Sequence, residues 1–363
     1  MLIIVTPIVQ QELNLIPVRP LQENRLKKER PSDWKALFET GTIFARQFEE
    51  YFNDHYGLRD LLIRTRNQID YTVFHKSEKI IIGRDGWLFY KSVVEDEEIG
   101  AEKMTAADLD RIFARVLKLN RILASRGITL IMLVSPMKNS IHPEMLPASA
   151  PRRPSPTSFE RYLAFLHAHP EIVTVDTVPL LKKLKESMQV YYKMDFHWTD
   201  AAGAYAARDL IQRLGSLSGK GSLWEKPIRI VIRRELAGGE SQALGLLWQT
   251  HEEAPYPAGP RPDLDLGIYT QGQNSNEWTY STKLSDKSGL IPDTVMFGDS
   301  YADAFLRAGF TAYFAHFQKY SIWDFAQKFQ SVPDGTRFLI FELLEPINFL
   351  TALPFWPDEL KAN

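Results

Sequence analysis

The sequence predicts an α/β fold in which a parallel sheet is flanked by helices. Two observations lead to this prediction. From residue 105 onward, segments with helical periodicity alternate with short apolar segments. In addition, Ile128–Val134 is apolar at nearly every position, which is typical of a strand that is buried on both faces of a sheet. Alternation of this kind indicates parallel strands joined by helices that pack on both sides.

The composition excludes several classes of protein. The 363 residues contain 43 Lys and Arg against 45 Asp and Glu, for a formal net charge of -2. Proteins that bind nucleic acid through its phosphates normally carry a basic excess, so no nucleic-acid partner is expected. The chain is 44% hydrophobic, enough for a packed core, and it has no cysteine. Any nucleophile is therefore an oxygen or a nitrogen.

Residues 1–76 are predicted to form an N-terminal unit made of an anchor remnant and a helical lead-in. The apolar run Met1–Val9 is typical of the trailing end of an export signal or membrane anchor. An ordinary N-terminal strand or a disordered tail is the alternative. From Pro31 to about Phe74, large apolar residues recur near helical spacing and predict a lead-in that packs on the main body. They include Trp34, Leu37, Phe38, Phe44, Phe48, Tyr51 and Phe52.

Residues 77–363 are predicted to form the main α/β domain. Two short apolar runs around an Asp-Gly turn predict a hairpin over 79–90. Thr105 is placed to cap a helix that continues to Arg126, and the strand Ile128–Val134 follows. The same order of signals then predicts a helix over 157–168, a strand Ile172–Val175, a helix over 178–187 and a helix Asp200–Leu214.

The alternation is interrupted over about 215–293, where Gly, Pro, Ser and Asn are frequent. This region is predicted to be an irregular insertion of short antiparallel strands and loops that forms one wall of a cleft. After it, the helix and strand signals return. They predict a strand Thr294–Phe297, a helix Tyr301–Ala308, a strand Thr311–Phe314, a helix over 322–330 and a strand Arg337–Phe341.

The segment Phe297-Gly-Asp-Ser300 lies between a predicted strand and a predicted helix. Ligands of open parallel sheets bind at the carboxyl ends of strands, and a helix start offers backbone N–H donors. Ser300 is therefore a candidate nucleophile, and its own N–H could stabilise a tetrahedral oxyanion. The alternative is that Asp299 or Ser300 only caps the helix, which is the commonest role of Asp and Ser at such a position.

The segment Met194-Asp-Phe-His-Trp-Thr-Asp200 also precedes a predicted helix. A serine hydroxyl needs an imidazole to accept its proton and a carboxylate to orient that imidazole. Asp195 and His197 offer both groups from one loop. The alternatives are a histidine packed beside Trp198 without a chemical role, or a metal site. Because the other histidines show no zinc-binding spacing, the sequence predicts neither a metal nor a cofactor.

Three further residues are predicted to contact substrate. Lys138 follows a predicted buried strand, so it should emerge at the same sheet edge and orient a polar substrate, unless its loop is simply solvated. Gly239 lies in the turn Gly238–Ser241, which either donates a backbone N–H to an oxyanion or is an ordinary hairpin turn. Tyr301 directly follows the serine and is assigned to substrate binding as well.

Aromatic residues in the insertion are candidate contacts for carbohydrate, because the apolar faces of sugars stack on flat rings. A regular core would not demand them in an irregular region, and binding residues concentrate on loops. The alternative is that they form the core of the insertion itself. The five residues are Trp248, Tyr256, Tyr269, Trp278 and Tyr280.

Four motifs occur in a fixed order along the chain: Gly83-Arg-Asp-Gly-Trp-Leu-Phe89, Ser135-Pro-Met-Lys138, Asp195-Phe-His-Trp198 and Gly298-Asp-Ser300. Together with the lead-in segment Glu49–Arg59, they resemble the SGNH-hydrolase-like exopolysaccharide O-acetyltransferases of the alginate type, the AlgJ and AlgX group. The similarity spans about residues 23–345. It implies an SGNH-hydrolase-like sheet for the main domain.

The resemblance also implies roles for residues and partners. In that group the Asp-x-His pair precedes the serine, as it does here. This implies Ser300 as the nucleophile that accepts an acyl group, His197 as general base and then acid, and Asp195 as the residue that orients His197. It further implies a periplasmic or otherwise extracytoplasmic location, anchoring to the inner membrane, a polysaccharide acceptor, and a membrane-bound acyltransferase as acetyl donor.

The sequence favours an O-acetyltransferase that passes an acetyl group from Ser300 to a polysaccharide hydroxyl. Two alternatives stay open: a carbohydrate acetyl esterase with the same triad, and a non-catalytic polysaccharide-binding member of the fold. The segment Glu342–Glu345 lacks the Glu-Arg ending of the group, and the turn Gly238-Gly-Glu240 differs from its Gly-Asp-Leu turn. Both departures bear on which substrate is bound more than on which reaction is catalysed.

Overall fold

The computed structural model describes residues 2–21, 26–31, 41–95, 106–151, 155–259, 261, 263–272 and 277–345. Its α-helices in these ranges are α1 (Leu2–Leu13), α2 (Gly41–His55), α3 (Arg59–Thr72), α4 (Ala106–Ser125), α5 (Lys138–Ile141), α6 (Ser158–Ala168), α7 (Val178–Leu184), α8 (Asp200–Leu217), α9 (Gly239–Leu244), α10 (Asp263–Leu266), α11 (Asp303–Arg307) and α12 (Phe325–Lys328). The strands are β1 (Ile80–Ile82), β2 (Leu88–Tyr90), β3 (Thr129–Ser135), β4 (Val173–Asp176), β5 (Ile230–Leu236), β6 (His251–Pro257), β7 (Gly267–Gln271), β8 (Trp278–Thr282), β9 (Thr294–Gly298), β10 (His316–Ser321) and β11 (Phe338–Leu344).

Seven strands form the main sheet, in the order β4-β3-β11-β9-β10-β8-β7. The five strands from β4 to β10 are parallel, and β8 and β7 extend the sheet in antiparallel pairing. Helices cover both faces, so the predicted α/β fold is confirmed. Because β3, β9 and β11 run in the same direction, the residues that follow their carboxyl ends meet at one edge of the sheet.

The central strands are buried on both faces because alternate side chains pack against different helices. In β3, Ile131 and Leu133 join the core that contains α8, whereas Leu130, Met132 and Val134 join the core that contains α4 and α6. Successive side chains of a strand point to opposite faces, so a strand between two helical layers needs apolar residues at every position. This explains the continuous apolar run that the sequence shows there.

The region about 215–293 carries two antiparallel hairpins. Strands β5 and β6 form a separate two-stranded sheet in which Ile230 pairs with Pro257 and Leu236 with His251. Strands β7 and β8 instead continue the main sheet beyond β10. One hairpin is therefore part of the main sheet, and the other is free to form a wall above its edge.

The lead-in helices pack on the main body through both apolar and polar contacts. Phe44 of α2 is buried, and the guanidinium of Arg64 in α3 donates to the carbonyl of Leu246 at 2.8 Å. Residues 2–13 are helical, so the alternative of an N-terminal strand or disordered tail is wrong at these positions. Within the described ranges no helix combines the length and the apolar character needed to cross a bilayer. The predicted positions Trp34, Leu37, Phe38 and Thr105 lie outside the described residues.

The predicted strand Thr311–Phe314 is wrong. Gly309, at φ +74°, ends the preceding helix, and Phe310–Tyr313 closes a 3-10 turn instead. The strand that follows is β10, whose polar sequence His-Phe-Gln-Lys-Tyr-Ser does not resemble a buried strand. Its Lys319 is nevertheless buried, because the ammonium lies 3.3 Å from the carboxylate of Asp303.

The predicted helix over 322–330 is also interrupted. Only α12 is α-helical, and the 3-10 turns Ile322–Asp324 and Phe329–Ser331 flank it. Phe325 and Phe329 are buried against the sheet core. Apolar residues spaced four apart therefore mark the buried side of this segment correctly, although they do not distinguish an α-helix from a series of short turns.

Candidate active site

Ser300 lies two residues after the end of β9, which is hydrogen-bonded to β11 on one side and to β10 on the other. The preceding Asp299 is the residue that caps the turn, because its Oδ1 accepts from the backbone N–H of Tyr301 at 2.8 Å. Its Oδ2 accepts from the N–H of Leu344 at the end of β11. Since Asp299 performs the capping, the hydroxyl of Ser300 is left for another contact.

That contact is with His197. The Nε2 atom of His197 lies 2.7 Å from Ser300 Oγ, and its Nδ1 atom lies 2.6 Å from Oδ1 of Asp195. The backbone N–H of His197 also donates to Asp195 Oδ1, at 2.9 Å, so a tight turn brings residues two apart together. The structure thus joins the three residues that the sequence predicted as nucleophile, base and orienting carboxylate in one hydrogen-bond chain.

The loop that carries this pair is held from both ends. Tyr191 and Trp198 form an isolated antiparallel bridge, and Thr199 then caps α8 through its side chain. The indole N–H of Trp198 donates to the carbonyl of Tyr301 at 3.0 Å, which links the loop directly to the turn after Ser300. Glu252 of β6 accepts from the N–H of Lys193 at 2.7 Å. Sequence reasoning missed Glu252, which no local motif marks.

The environment of Asp195 favours its ionised form. Burial by itself raises the pKa of Asp195, but hydrogen bonds from the ring and backbone of His197 and the nearby charge of Lys138 outweigh it. The pKa therefore lies below its ordinary value, and the group is a carboxylate at neutral pH. A carboxylate at Nδ1 keeps a proton on that nitrogen, which leaves Nε2 as an acceptor for the serine hydroxyl.

Gly239 lies beside Asp195 rather than beside the serine, which differs from the oxyanion contact that the sequence predicted. A Cβ on Gly238 would lie 2.2 Å from Asp195 Oδ2, and one on Gly239, at φ +33°, would lie 3.0 Å from its Cγ. Asp195 is at the far end of the hydrogen-bond chain from Ser300. The two glycines therefore leave room for the carboxylate, and they begin helix α9.

Lys138 is buried and does not line the cleft that contains Ser300 and His197, so the structure gives it a different place from the predicted substrate contact. Its side chain is 2% exposed, and its ammonium lies 3.0 Å from Oε1 of Glu240. The same ammonium donates to the carbonyls of Tyr192, Lys193 and Asp195, at 3.4, 3.3 and 3.0 Å. Lys138 therefore ties together the loop that holds Asp195.

Tyr301 is also buried, which differs from the predicted substrate contact. Its hydroxyl donates to the carbonyl of Phe196 at 2.5 Å, and its ring centroid lies 5.1 Å from that of His197. Its contacts are therefore with the loop that carries the histidine. Its neighbour Trp198 packs edge-on against the same ring. These two aromatic residues fix the imidazole relative to the serine.

A cleft of about 580 Å³ opens above Ser300 and His197, with β5 and β6 as one wall. Tyr192 and Tyr256 line it, with their hydroxyls 2.6 Å apart. Besides Asp195, its charged lining residues are of both signs: Asp200, Arg233, Glu235, Glu252, Arg261, Asp303 and Arg307. A cleft that combines aromatic rings with polar groups of both signs suits a hydroxyl-rich ligand.

The five aromatic residues of the insertion have different surroundings. Tyr256 lines the cleft, and Trp248 is exposed outside it. Trp278 and Tyr280 are buried in β8, and the Tyr269 hydroxyl hydrogen-bonds to Asp263 and Thr311. The last three therefore belong to the core of the sheet, which is the alternative that the sequence left open. Among the described residues, no group of three or more His, Asp or Glu is arranged to hold a metal ion.

A mostly parallel sheet with a serine after a central strand, and an Asp-x-His loop beside it, defines an SGNH-hydrolase-like protein. More specifically, the chain belongs to the family described as SGNH hydrolase-like domain, acetyltransferase AlgX, whose model matches residues 80–329. The resemblance that the four motifs indicated is thereby confirmed. The match includes Lys138, Asp195, His197 and Ser300.

Two relatives are similar over about half of the chain. The probable alginate O-acetylase AlgJ of Pseudomonas aeruginosa is 27% identical over 191 residues, which are 52% of this chain and 46% of that protein. The protein of the same description from Pseudomonas fluorescens is 25% identical over 194 residues, 53% of this chain and 47% of that protein. The chain thus matches less than half of either relative's length.

The solved structure of Bacillus cereus PatB1 is similar in fold. The similarity covers 71% of this chain and 94% of the PatB1 chain, with 11% sequence identity and a TM-score of 0.50, and it shows the fold alone.

Proposed function

We propose that this protein is an O-acetyltransferase that carries an acetyl group on Ser300 and passes it to a hydroxyl of an exported polysaccharide. The observation that carries the proposal is the hydrogen-bond chain from Ser300 Oγ through His197 to Asp195. Membership of the acetyltransferase AlgX family and similarity to two probable alginate O-acetylases support it.

In the first half of the reaction, Ser300 Oγ attacks the acetyl carbonyl of the donor while His197 Nε2 takes the hydroxyl proton. The Asp195 carboxylate stabilises the imidazolium that forms. The backbone N–H of Ser300, at the start of the turn, is the proposed donor to the oxyanion. The tetrahedral intermediate collapses, the donor's leaving group takes the proton from His197, and acetyl-Ser300 remains.

In the second half, a sugar hydroxyl enters the cleft and attacks the acetyl-serine carbonyl. His197 Nε2 now takes the proton of that hydroxyl and returns it to Ser300 Oγ as the ester bond to the serine breaks. The products are the acetylated sugar and the free enzyme. Transfer requires that the acceptor hydroxyl is held more effectively than water, and the aromatic and charged lining of the cleft is suited to that task.

The location and the acetyl donor belong to the same proposal. A polymer that is acetylated during export meets its enzyme in the periplasm, and a chain without cysteine forms no unwanted disulfide there. A membrane-bound acyltransferase is the proposed donor of the acetyl group, and an N-terminal anchor in the inner membrane would keep this protein near it. The proposed catalytic unit is residues 77–363, with 1–76 as lead-in.

Two other functions use the same site. A carbohydrate acetyl esterase would form the same acetyl-serine and lose the acetyl group to water. A non-catalytic polysaccharide-binding protein would use the cleft without forming an acetyl-serine. The short distances between Ser300, His197 and Asp195 favour the two catalytic functions over the third.

The deciding experiment is mass spectrometry of the intact protein after brief exposure to an activated acetyl ester, followed by a chase with oligosaccharides. Wild type is compared with Ser300→Ala and with Ser288→Ala, an exposed serine outside the cleft. An acetyl adduct that maps to Ser300 and moves to a sugar supports transfer. Loss of the adduct to water with every sugar favours the esterase, and the absence of adduct and turnover favours the binding protein.

A further inference from the structure

A second cleft, of about 230 Å³, lies beside the catalytic cleft. Trp248 lines it and is 67% exposed, so the face of its ring is open to a ligand. Leu236 lines both clefts. The two clefts are therefore neighbours that share one side chain.

The same hairpin forms the wall of both clefts. Arg233 and Glu235 of β5 face the catalytic cleft, whereas Ala237 and Thr250, beyond the last pair of the hairpin, face the second. Residues 233 and 236 are about 10 Å apart along an extended strand, because each residue advances the strand by about 3.3 Å. A chain of a few sugar units is long enough to occupy both clefts along this hairpin.

The loop that presents Trp248 is held by the lead-in helix α3. Asn67 donates to the carbonyl of Leu244 at 2.9 Å, and Arg64 donates to that of Leu246 at 2.8 Å. The backbone N–H of Trp248 itself donates to Oε1 of Gln68 at 3.4 Å. These contacts fix the backbone on which the ring stands. A loop whose backbone is already held loses little conformational entropy when a ligand binds.

The other lining groups indicate the class of ligand. Ser241, Gln242, Gln249 and Thr250 provide hydroxyl and amide groups, which donate and accept hydrogen bonds without a net charge. Arg19 and Arg64 line the cleft as well, and the guanidinium of Arg64 donates to three backbone carbonyls. A pyranose ring offers an apolar C–H face for a tryptophan and hydroxyls around its edge for such groups. We propose that Trp248 and this cleft bind a sugar unit of the acceptor chain, so that the enzyme holds a polymer across two adjoining positions. This inference rests on the proposed function, because it identifies the acceptor as a chain.

The test is a calorimetric titration of alginate oligosaccharides and β-1,4-glucan oligosaccharides, from disaccharide to octasaccharide, into Ser300→Ala protein. The same titrations use Ser300→Ala/Trp248→Ala, and Ser300→Ala/Trp323→Ala as control, since Trp323 is 52% exposed and lines neither cleft. We expect affinity to rise with chain length. We expect Trp248→Ala to weaken octasaccharide binding by roughly two- to tenfold, the size of one aromatic stacking contact, and to leave disaccharide binding unchanged.

Three results would overturn the inference: equal loss for short and long chains, no loss with Trp248→Ala, or no binding of any oligosaccharide. Acetyl transfer is measured separately, on protein that keeps Ser300. This measurement distinguishes failure of the second sugar position from failure of the proposed function. If octasaccharide binding requires Trp248 but no acetyl group reaches a sugar, the second sugar position stands and the transferase does not. If Trp248→Ala transfers acetyl to octasaccharide as well as wild type does, the reverse holds.

Discussion

Lys138 and Glu240 form a buried ion pair, with 3.0 Å between Nζ and Oε1 and side chains 2% and 1% exposed. Lys138 begins α5 at the carboxyl edge of the sheet, and Glu240 belongs to α9, next to the glycines that contact Asp195. Among the described residues, Oε2 of Glu240 has no hydrogen-bond partner. The pair therefore positions the Asp195 loop at the cost of burying two charges.

Lys138→Met should destabilise the fold by about 3–5 kcal/mol, because it leaves Glu240 buried without its cation and removes the ammonium that donates to the carbonyls of Tyr192 and Asp195. It should also lower kcat on a chromogenic acetyl ester, since the loop that holds Asp195 loses its tether. Urea unfolding and ester kinetics measure the two effects. A variant with wild-type stability and kcat would show that the pair does not position the loop.

The loss of stability in Lys138→Met should depend on pH. Burial raises the pKa of Glu240 to about 7 even though the ammonium of Lys138 opposes the rise, so removing the lysine raises it further. A carboxyl whose pKa is raised by folding stabilises the folded state as it takes up a proton. Relative to wild type, the variant should therefore regain stability as the pH falls toward about 7, where Glu240 of the wild type also takes up its proton. The double variant Lys138→Met/Glu240→Gln has no buried charge at these two positions, so its stability should depend much less on pH.

Gly238→Ala should lower kcat by about 100-fold, because the new Cβ would lie 2.2 Å from Asp195 Oδ2 and would displace the carboxylate from His197. Gly289→Ala is the matched control, since a Cβ there meets nothing within 4 Å. Kinetics on an acetyl ester, with thermal unfolding to confirm the fold, measure the effect. Wild-type kcat in Gly238→Ala would mean that the position of Asp195 does not matter for turnover.

The Asp195→Asn variant tests the charge of Asp195 through its effect on stability. The folded pKa lies below the ordinary value of 3.8, so the ionised carboxylate stabilises the fold above that value, and this contribution is lost as the pH falls through the folded pKa. Asp195→Asn should therefore be less stable than wild type at neutral pH, and the difference should shrink as the pH falls below 3.8. If the difference in stability between the two proteins did not change with pH, Asp195 would not be ionised in the folded protein.

The hydrogen-bond chain was predictable from the sequence because its three residues lie in two local patterns. Ser300 follows a run of three apolar residues and Gly-Asp, and Asp195 and His197 share one short loop before a helix. Both patterns occur where strands end, and parallel topology brings such ends together. Prediction of the SGNH-like fold also depended on the order of several motifs along the chain.

The surroundings of the chain were not predictable, because burial and long-range contacts leave no local pattern. Lys138 is a polar residue in a polar loop, and nothing near it in sequence announces Glu240, which lies about a hundred positions away. Strand β10 was missed for a related reason, since Lys319 is tolerated in the core only because Asp303 lies opposite it. A strand whose buried lysine is neutralised by an ion pair therefore lacks the continuous apolar pattern by which core strands are predicted.

Glu342→Leu should destabilise the turn of the serine, whereas Glu342→Gln should be tolerated. Burial and the nearby Asp299 raise the pKa of Glu342 well above its ordinary value. A raised pKa favours the protonated, neutral carboxyl, which a glutamine side chain resembles in shape and charge. Its Oε1 accepts from Ser135 Oγ at 2.7 Å and its Oε2 from the N–H of Asp299 at 3.0 Å. Leucine would leave both donors unpaired, at about 1–3 kcal/mol each. Equal stability of the two variants in urea unfolding would contradict this role.

Arg64 tests whether the lead-in helices are part of the functional unit. Its guanidinium donates to the carbonyls of Arg19, Pro20 and Leu246, at 2.9, 2.8 and 2.8 Å, and so joins two segments of the chain far apart in sequence. Arg64→Met should remove the donor to the carbonyls of Arg19 and Pro20, leave Leu246 with only the 3.5 Å contact from Arg19, and destabilise the protein by at least about 2 kcal/mol. Arg66→Met, on the exposed side of the same helix, is the matched control and should have little effect. If both variants unfold at the wild-type temperature, the contacts of Arg64 do not contribute to stability; if only Arg64→Met unfolds earlier, Arg64 stabilises the fold by joining α3 to residues 19–20 and to Leu246.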